Sequence, residues 1–163
     1  MTKTLIRTAA VAALLAAAST PALALNADYA APYRLLQQAN RALDPALATS
    51  AYATEGVLVF DVPGAPAESF RGHDAIRAAY VRSFRQVDPG TPIALEFRFE
   101  GPVRPAPHKG AYRLTAKIGG REIVAYGRFT ASLVWDRNAW RFAEDRGTAA
   151  SAADYEALPP ADL

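Results

Sequence analysis

The 163-residue chain contains no cysteine. Disulfides, thiol nucleophiles, cysteine metal ligands and dithiol redox chemistry are therefore excluded, and a packed core must hold the fold. Histidine is nearly as scarce. His73 and His108 are the only two, far apart and without a second histidine at ligand spacing, so no metal site is expected. No glycine-rich phosphate loop and no serine-nucleophile motif occurs, and nothing calls for a cofactor. No apolar run reaches the roughly 20 residues a membrane-spanning helix needs; the longest is Ala9 to Ala18.

That run follows Lys3 and Arg7 and precedes Ser19-Thr20-Pro21 and the small-residue site Ala22-Leu23-Ala24. This is the pattern of a secretory leader cleaved after Ala24, which places the mature protein in the periplasm or outside the cell. Losing Lys3 and Arg7 takes the 18 basic residues to 16, against 16 acidic ones, so the mature formal charge is zero. The basic pI belongs to the leader, and no basic run remains to suggest nucleic acid or, after cleavage, a membrane surface. The expected organisation is a leader over 1–24, one domain over 25–148, and a loosely held tail over 149–163, where composition thins to Ala, Ser, Asp and Pro.

What is present is periodicity. Tyr29, Tyr33, Leu36, Asn40 and Leu43 recur at helical spacing behind Asp28, and Asp44-Pro45 opens a second short helix. Gly56 to Asp61 reads as a strand ended by Val62-Pro63-Gly64. His73 to Phe84 carries Ile76, Tyr80, Val81 and Phe84 on one helical face, with His73 serving the helix start. Ile93 to Phe99 and Tyr112 to Ile118 alternate as strands around a proline-bearing loop holding His108.

The stretch Arg121 to Arg146 organises the chain. Ile123, Ala125, Gly127, Phe129, Ala131, Leu133 and Trp135 alternate with polar residues, which is a half-buried strand of unusual length. Gly127 is the expected site of a bulge. After Asp136, Arg137 and Asn138, strict alternation puts Trp140, Phe142, Glu144 and Arg146 on one face. Helices first and antiparallel strands afterwards give an α+β domain: a cone-shaped curved antiparallel sheet with about three N-terminal helices on its concave face.

Three strings carry a resemblance: Tyr52-Ala53-Thr54-Glu55-Gly56-Val57, Arg71-Gly72-His73-Asp74-Ala75-Ile76-Arg77, and Gly127-Arg128-Phe129-Thr130 through Trp140-Arg141-Phe142-Ala143. In this order and spacing they resemble the nuclear transport factor two-like superfamily, in its SnoaL-like and ketosteroid isomerase-like branches. The resemblance implies a cystatin-like conical α+β barrel, a pocket between sheet and helices, and often a homodimer through the outer sheet face. It does not imply one function, since that fold serves isomerases, cyclases, dehydratases and non-catalytic association modules.

The resemblance also distributes candidate roles. Asp61 falls one residue from the carboxylate base of the isomerases, and the competing reading is a turn cap before Pro63. Tyr33 falls within a turn of their oxyanion tyrosine, against a plain core role. Ala131 stands where their second acid would be. Glu144 and Arg146 occupy positions where SnoaL-like relatives often carry histidines; Glu144 would accept a proton and Arg146 hold an oxygen anion, or the two would pair as a salt bridge. Trp140, Phe142, Phe129, Ala131 and Leu133 would wall the cavity. The expected occupant is a small, largely apolar organic molecule undergoing cofactor-free proton transfer or hydration; the alternative is a non-enzymatic dimeric binding or association module.

Overall fold

A computed structural model describes residues 28–61, 63–104, 107–161 and 163; the expected leader lies outside them. Helix α1 spans Ala31–Ala42, with Pro32 in its first turn and Leu43 in the left-handed conformation closing it. Asp44 caps α2 (Pro45–Ser50), its carboxylate accepting from the amides of Ala46 and Leu47 at 2.8 and 3.0 Å. Strand β1 (Tyr52–Asp61), a short β2 (Glu68–Arg71) and α3 (Gly72–Phe84) follow. The sequence did not announce β2, whose four residues carry too few apolar positions to show a period.

Four strands complete the sheet: β3 (Ala94–Phe99), β4 (His108–Ile118), β5 (Arg121–Asp136) and β6 (Ala139–Ala149). His108 is thus the first residue of a strand, not part of the loop that its proline neighbours suggest. The six strands lie in the order β2-β1-β6-β5-β4-β3, curved and unclosed. All pairs are antiparallel except β1 with β6, which makes the sheet mixed. Both long hairpins turn on two left-handed residues, Gly119-Gly120 and Arg137-Asn138, which suits the right-handed twist of their strands. Asp88 holds the first turn by accepting from both glycine amides, at 2.7 and 2.8 Å.

Two bulge positions decide which side chains face the helices. At Gly127 the expected bulge is absent: β4 and β5 pair without a shift from His108↔Ala131 to Ile118↔Arg121. Glycine is needed there because Tyr112, directly opposite, lies across it; a Cβ on Gly127 would sit 2.2 Å from that ring. The bulge is in β6 instead. Ser132 pairs with Glu144 but Leu133 with Phe142, so Ala143 is an extra residue and alternation inverts beyond it. Phe142 points to the core, whereas Asp145 and Gly147, rather than Glu144 and Arg146, point to the same side.

The core forms where α1 crosses the concave face. Tyr33 is almost wholly buried and meets Phe97, Phe99 and Phe142 edge-on, with centroids 4.9 to 5.0 Å away. A second cluster of Phe84, Val87, Ile93 and Ala116 lies under the end of α3. The segment after 148, expected to be loose, carries α4 (Ala152–Glu156), opened by a Ser151–Asp154 capping box and anchored by the buried Tyr155. Its composition hides this, because one tyrosine does the anchoring.

Candidate functional site

Between α1, α3 and the concave face lies a cavity of about 150 Å³, lined mainly by Leu36, Leu58, Leu95, Phe97, Leu114 and Phe129. Its polar members are Asp145 from β6, Asn40 from α1, Tyr80 and Ser83 from α3 and Tyr112 from β4. Asp145 arrives there because the Ala143 bulge turns it inward and β1 holds it in register opposite Leu58.

The surroundings of Asp145 are phenols. Tyr52, fully buried at the start of β1, donates from its hydroxyl to Asp145 Oδ2 at 3.0 Å. The same hydroxyl lies 3.0 Å from that of Tyr80. Since Tyr52 has one proton and gives it to the carboxylate, Tyr80 is the donor in that second bond. A chain thus runs from Tyr80 to Tyr52 to Asp145. His73 Nε2 donates to the Tyr52 carbonyl at 3.0 Å, tying the start of α3 to the strand that carries this phenol.

Burial dominates the electrostatics. It pushes the Asp145 acid up to about 6, against the smaller opposing effect of the Tyr52 hydrogen bond. Burial likewise raises Tyr52, Tyr80 and Tyr112, with the Asp145 charge adding to each, so all three stay protonated. A carboxyl group poised near neutrality in an apolar cavity is equipped to take up or release a proton.

The expected site residues separate into those near this cavity and those away from it. Phe129 lines it. Phe142, Ala131 and Leu133 are on the concave face but buried in the core beyond it. Trp140 is half-buried against Tyr29 and Trp135. The Tyr33 hydroxyl is engaged with His108 Nδ1 at 2.6 Å, inside the core. Burial keeps that phenol protonated and lowers the His108 imidazole. Asp61 is exposed, since its inward neighbour Phe60 takes the cavity side of β1.

Glu144 and Arg146 require a correction: both lie on the outer face, each about half exposed, 3.5 Å apart as a surface pair. The physical reason is the extra residue at Ala143. Asp145, Tyr52 and Tyr80 are the residues that reading by strict alternation missed. No local signal marks them, because the extra residue at Ala143 shows only in the pairing of β6 with β5.

No family model matches the chain, and no curated protein does. Solved structures match well in shape. A ketosteroid isomerase-like protein from Erwinia carotovora atroseptica superimposes with TM-score 0.56 at 21% identity, over 77% of this chain and 98% of that one. A protein of ketosteroid isomerase-like fold from Catenulispora acidiphila, solved with trimethylamine, gives 0.57 at 13%, over 78% and 93%. A nuclear transport factor two-like protein with a cystatin-like fold from Novosphingobium aromaticivorans gives 0.53 at 16%, over 79% and 85%. At these identities the likeness concerns the fold, which is the nuclear transport factor two-like, cystatin-like fold.

Proposed function

We propose that this chain, built on the nuclear transport factor two-like fold, binds a small, largely apolar organic molecule in its cone and exchanges a proton with it at Asp145. The observation that carries the reading is a carboxyl group turned into an apolar cavity and hydrogen-bonded to a buried phenol. The reaction class is cofactor-free proton transfer, with Asp145, rather than Glu144 or Asp61, as acceptor. The Tyr80–Tyr52 chain holds the carboxylate in place and can reverse its direction when Asp145 takes up the proton. Native mass spectrometry of the full chain, expressed in its own host, tests the binding. A retained small molecule that is lost in Leu58→Trp, which fills the cone, supports the reading; the same mass in both rejects it.

The leader pattern of Lys3, Arg7, Ala9 to Ala18 and Ala22-Leu23-Ala24 supports export to the periplasm or beyond. A homodimer through the outer sheet face is the proposed assembly. Tyr155 and α4 occupy that face over β4 and β5, which leaves the half-buried Val57, the exposed Thr130 and the Glu144–Arg146 pair for a second copy. Sedimentation of the mature chain before and after Thr130→Arg reads whether that surface is used.

A further inference from the structure

We infer that the ligand of the cone is a small organic cation, an amine with an apolar body whose ammonium group pairs with Asp145. This rests on the reading that the cone holds a ligand, and goes on to its chemical class. Among the described residues, every ion pair lies outside the cone, and none includes Asp145. The titratable groups that face it from the packed elements are Tyr33 of α1, Tyr52 of β1, Tyr80 of α3 and Tyr112 of β4, all of them neutral phenols. The carboxylate therefore stands in an apolar cavity with no counter-charge of its own.

A charge so placed is costly, and the complement that relieves it is a cation. The walls favour the same partner. Phe60, Phe97, Phe129, Tyr80 and Tyr112 line the cavity, and aromatic faces attract an organic ammonium as well as its hydrocarbon body. A neutral carbonyl can accept from the Tyr112 hydroxyl, but the Tyr52 and Tyr80 protons are already given, to Asp145 and to Tyr52, and such a ligand leaves the Asp145 charge without a complement. An anionic ligand would be repelled by the carboxylate. The cavity of about 150 Å³ is of the size that holds a benzene molecule, which sets the scale at about six to ten heavy atoms. With its acid pushed up to about 6, Asp145 is mostly ionised at pH 7 and mostly protonated at pH 5.

The test uses three probes of one ring size and different charge: cyclohexylammonium, cyclohexanol and cyclohexanecarboxylate, titrated calorimetrically into the full chain. The expected result at pH 7 is cyclohexylammonium binding at least tenfold tighter than cyclohexanol, with the carboxylate weakest. That advantage should shrink about tenfold at pH 5 in the unmodified protein, and Asp145→Asn should reduce the ammonium to the affinity of the alcohol. The pH comparison stands even if the variant folds poorly. Equal binding of ammonium and alcohol, or an ammonium advantage that survives in Asp145→Asn, overturns the cation inference while leaving the cone as a binding site. Failure of all three probes overturns it together with the binding reading.

Discussion

The Tyr52 hydroxyl donates to Asp145 Oδ2 at 3.0 Å across 93 residues of sequence, so the first strand positions the carboxyl group that lines the cone. Burial outweighs that bond and raises the Asp145 pKa from 3.8 to about 6. The folded state thus holds the proton more tightly than the unfolded chain, and this contribution to stability is fully present below pH 3.8 and lost as pH rises through 6. Exposed Asp136 and Asp154, lowered by their hydrogen bonds, act in the opposite sense at lower pH. Comparison with Asp145→Asn isolates the cone. Urea denaturation should show the variant gaining about 2 kcal/mol on the wild type between pH 4 and pH 7.

Tyr52→Phe removes the hydrogen bond that favours the ionised carboxylate. The Asp145 pKa should then rise above about 6, by less than one further unit. Carbon-13 titration of the carboxyl carbon reads it directly. An unchanged or lower value would mean that the phenol and the carboxylate are not bonded in solution.

Most of the fold was legible because periodicity and turn chemistry are local. Asp44-Pro45, Gly119-Gly120 and Arg137-Asn138 each carry their own backbone requirement, and the alternation in β5 names Gly127, Phe129, Ala131 and Leu133, which the sheet buries, although Ile123, Ala125 and Trp135 towards its ends are exposed. The site was not legible because it depends on a single inserted residue. In Phe142-Ala143-Glu144-Asp145-Arg146, three consecutive charges follow an alanine, and any of them can face inward until the partner strands fix the register. Tyr52 and Tyr80 read as ordinary strand and helix residues, since only tertiary pairing brings their hydroxyls within 3.0 Å. Tyr155 escaped for the same reason: what buries it comes from three distant strands.

Gly127→Ala tests the close packing beneath Tyr112. The new Cβ would lie 2.2 Å from the ring, in a strand whose register leaves no slack, so the tyrosine must swing aside into the cavity. The expected cost is about 1–3 kcal/mol in thermal or urea unfolding. Pairing it with Tyr112→Ala should recover part of this loss, giving a favourable coupling of about 1 kcal/mol or more. Additive losses would show that the strain resides in the β5 backbone.

Arg98 fastens the C-terminal segment. Its guanidinium donates to the carbonyls of Tyr155, Glu156 and Leu158, the last at 2.7 Å, and stacks on the Tyr155 ring 4.3 Å from its centroid. Tyr155 in turn reaches Glu96, which Arg113 holds by two bonds of 2.7 and 2.8 Å. One terminal nitrogen of the guanidinium thus reaches the carbonyls that end α4, most closely Leu158, while the other pairs with the Glu156 carboxylate at 3.1 Å and the plane covers the aromatic ring beneath. Arg98→Ala should cost about 2 kcal/mol and speed amide exchange across 152–161 while leaving β5 and β6 protected. Arg98→Lys keeps the charge but loses the fork, so it should restore only part of that protection. If exchange in α4 is unchanged in both variants, burial of Tyr155 alone holds the helix, and the outer half of the sheet stays covered without the arginine.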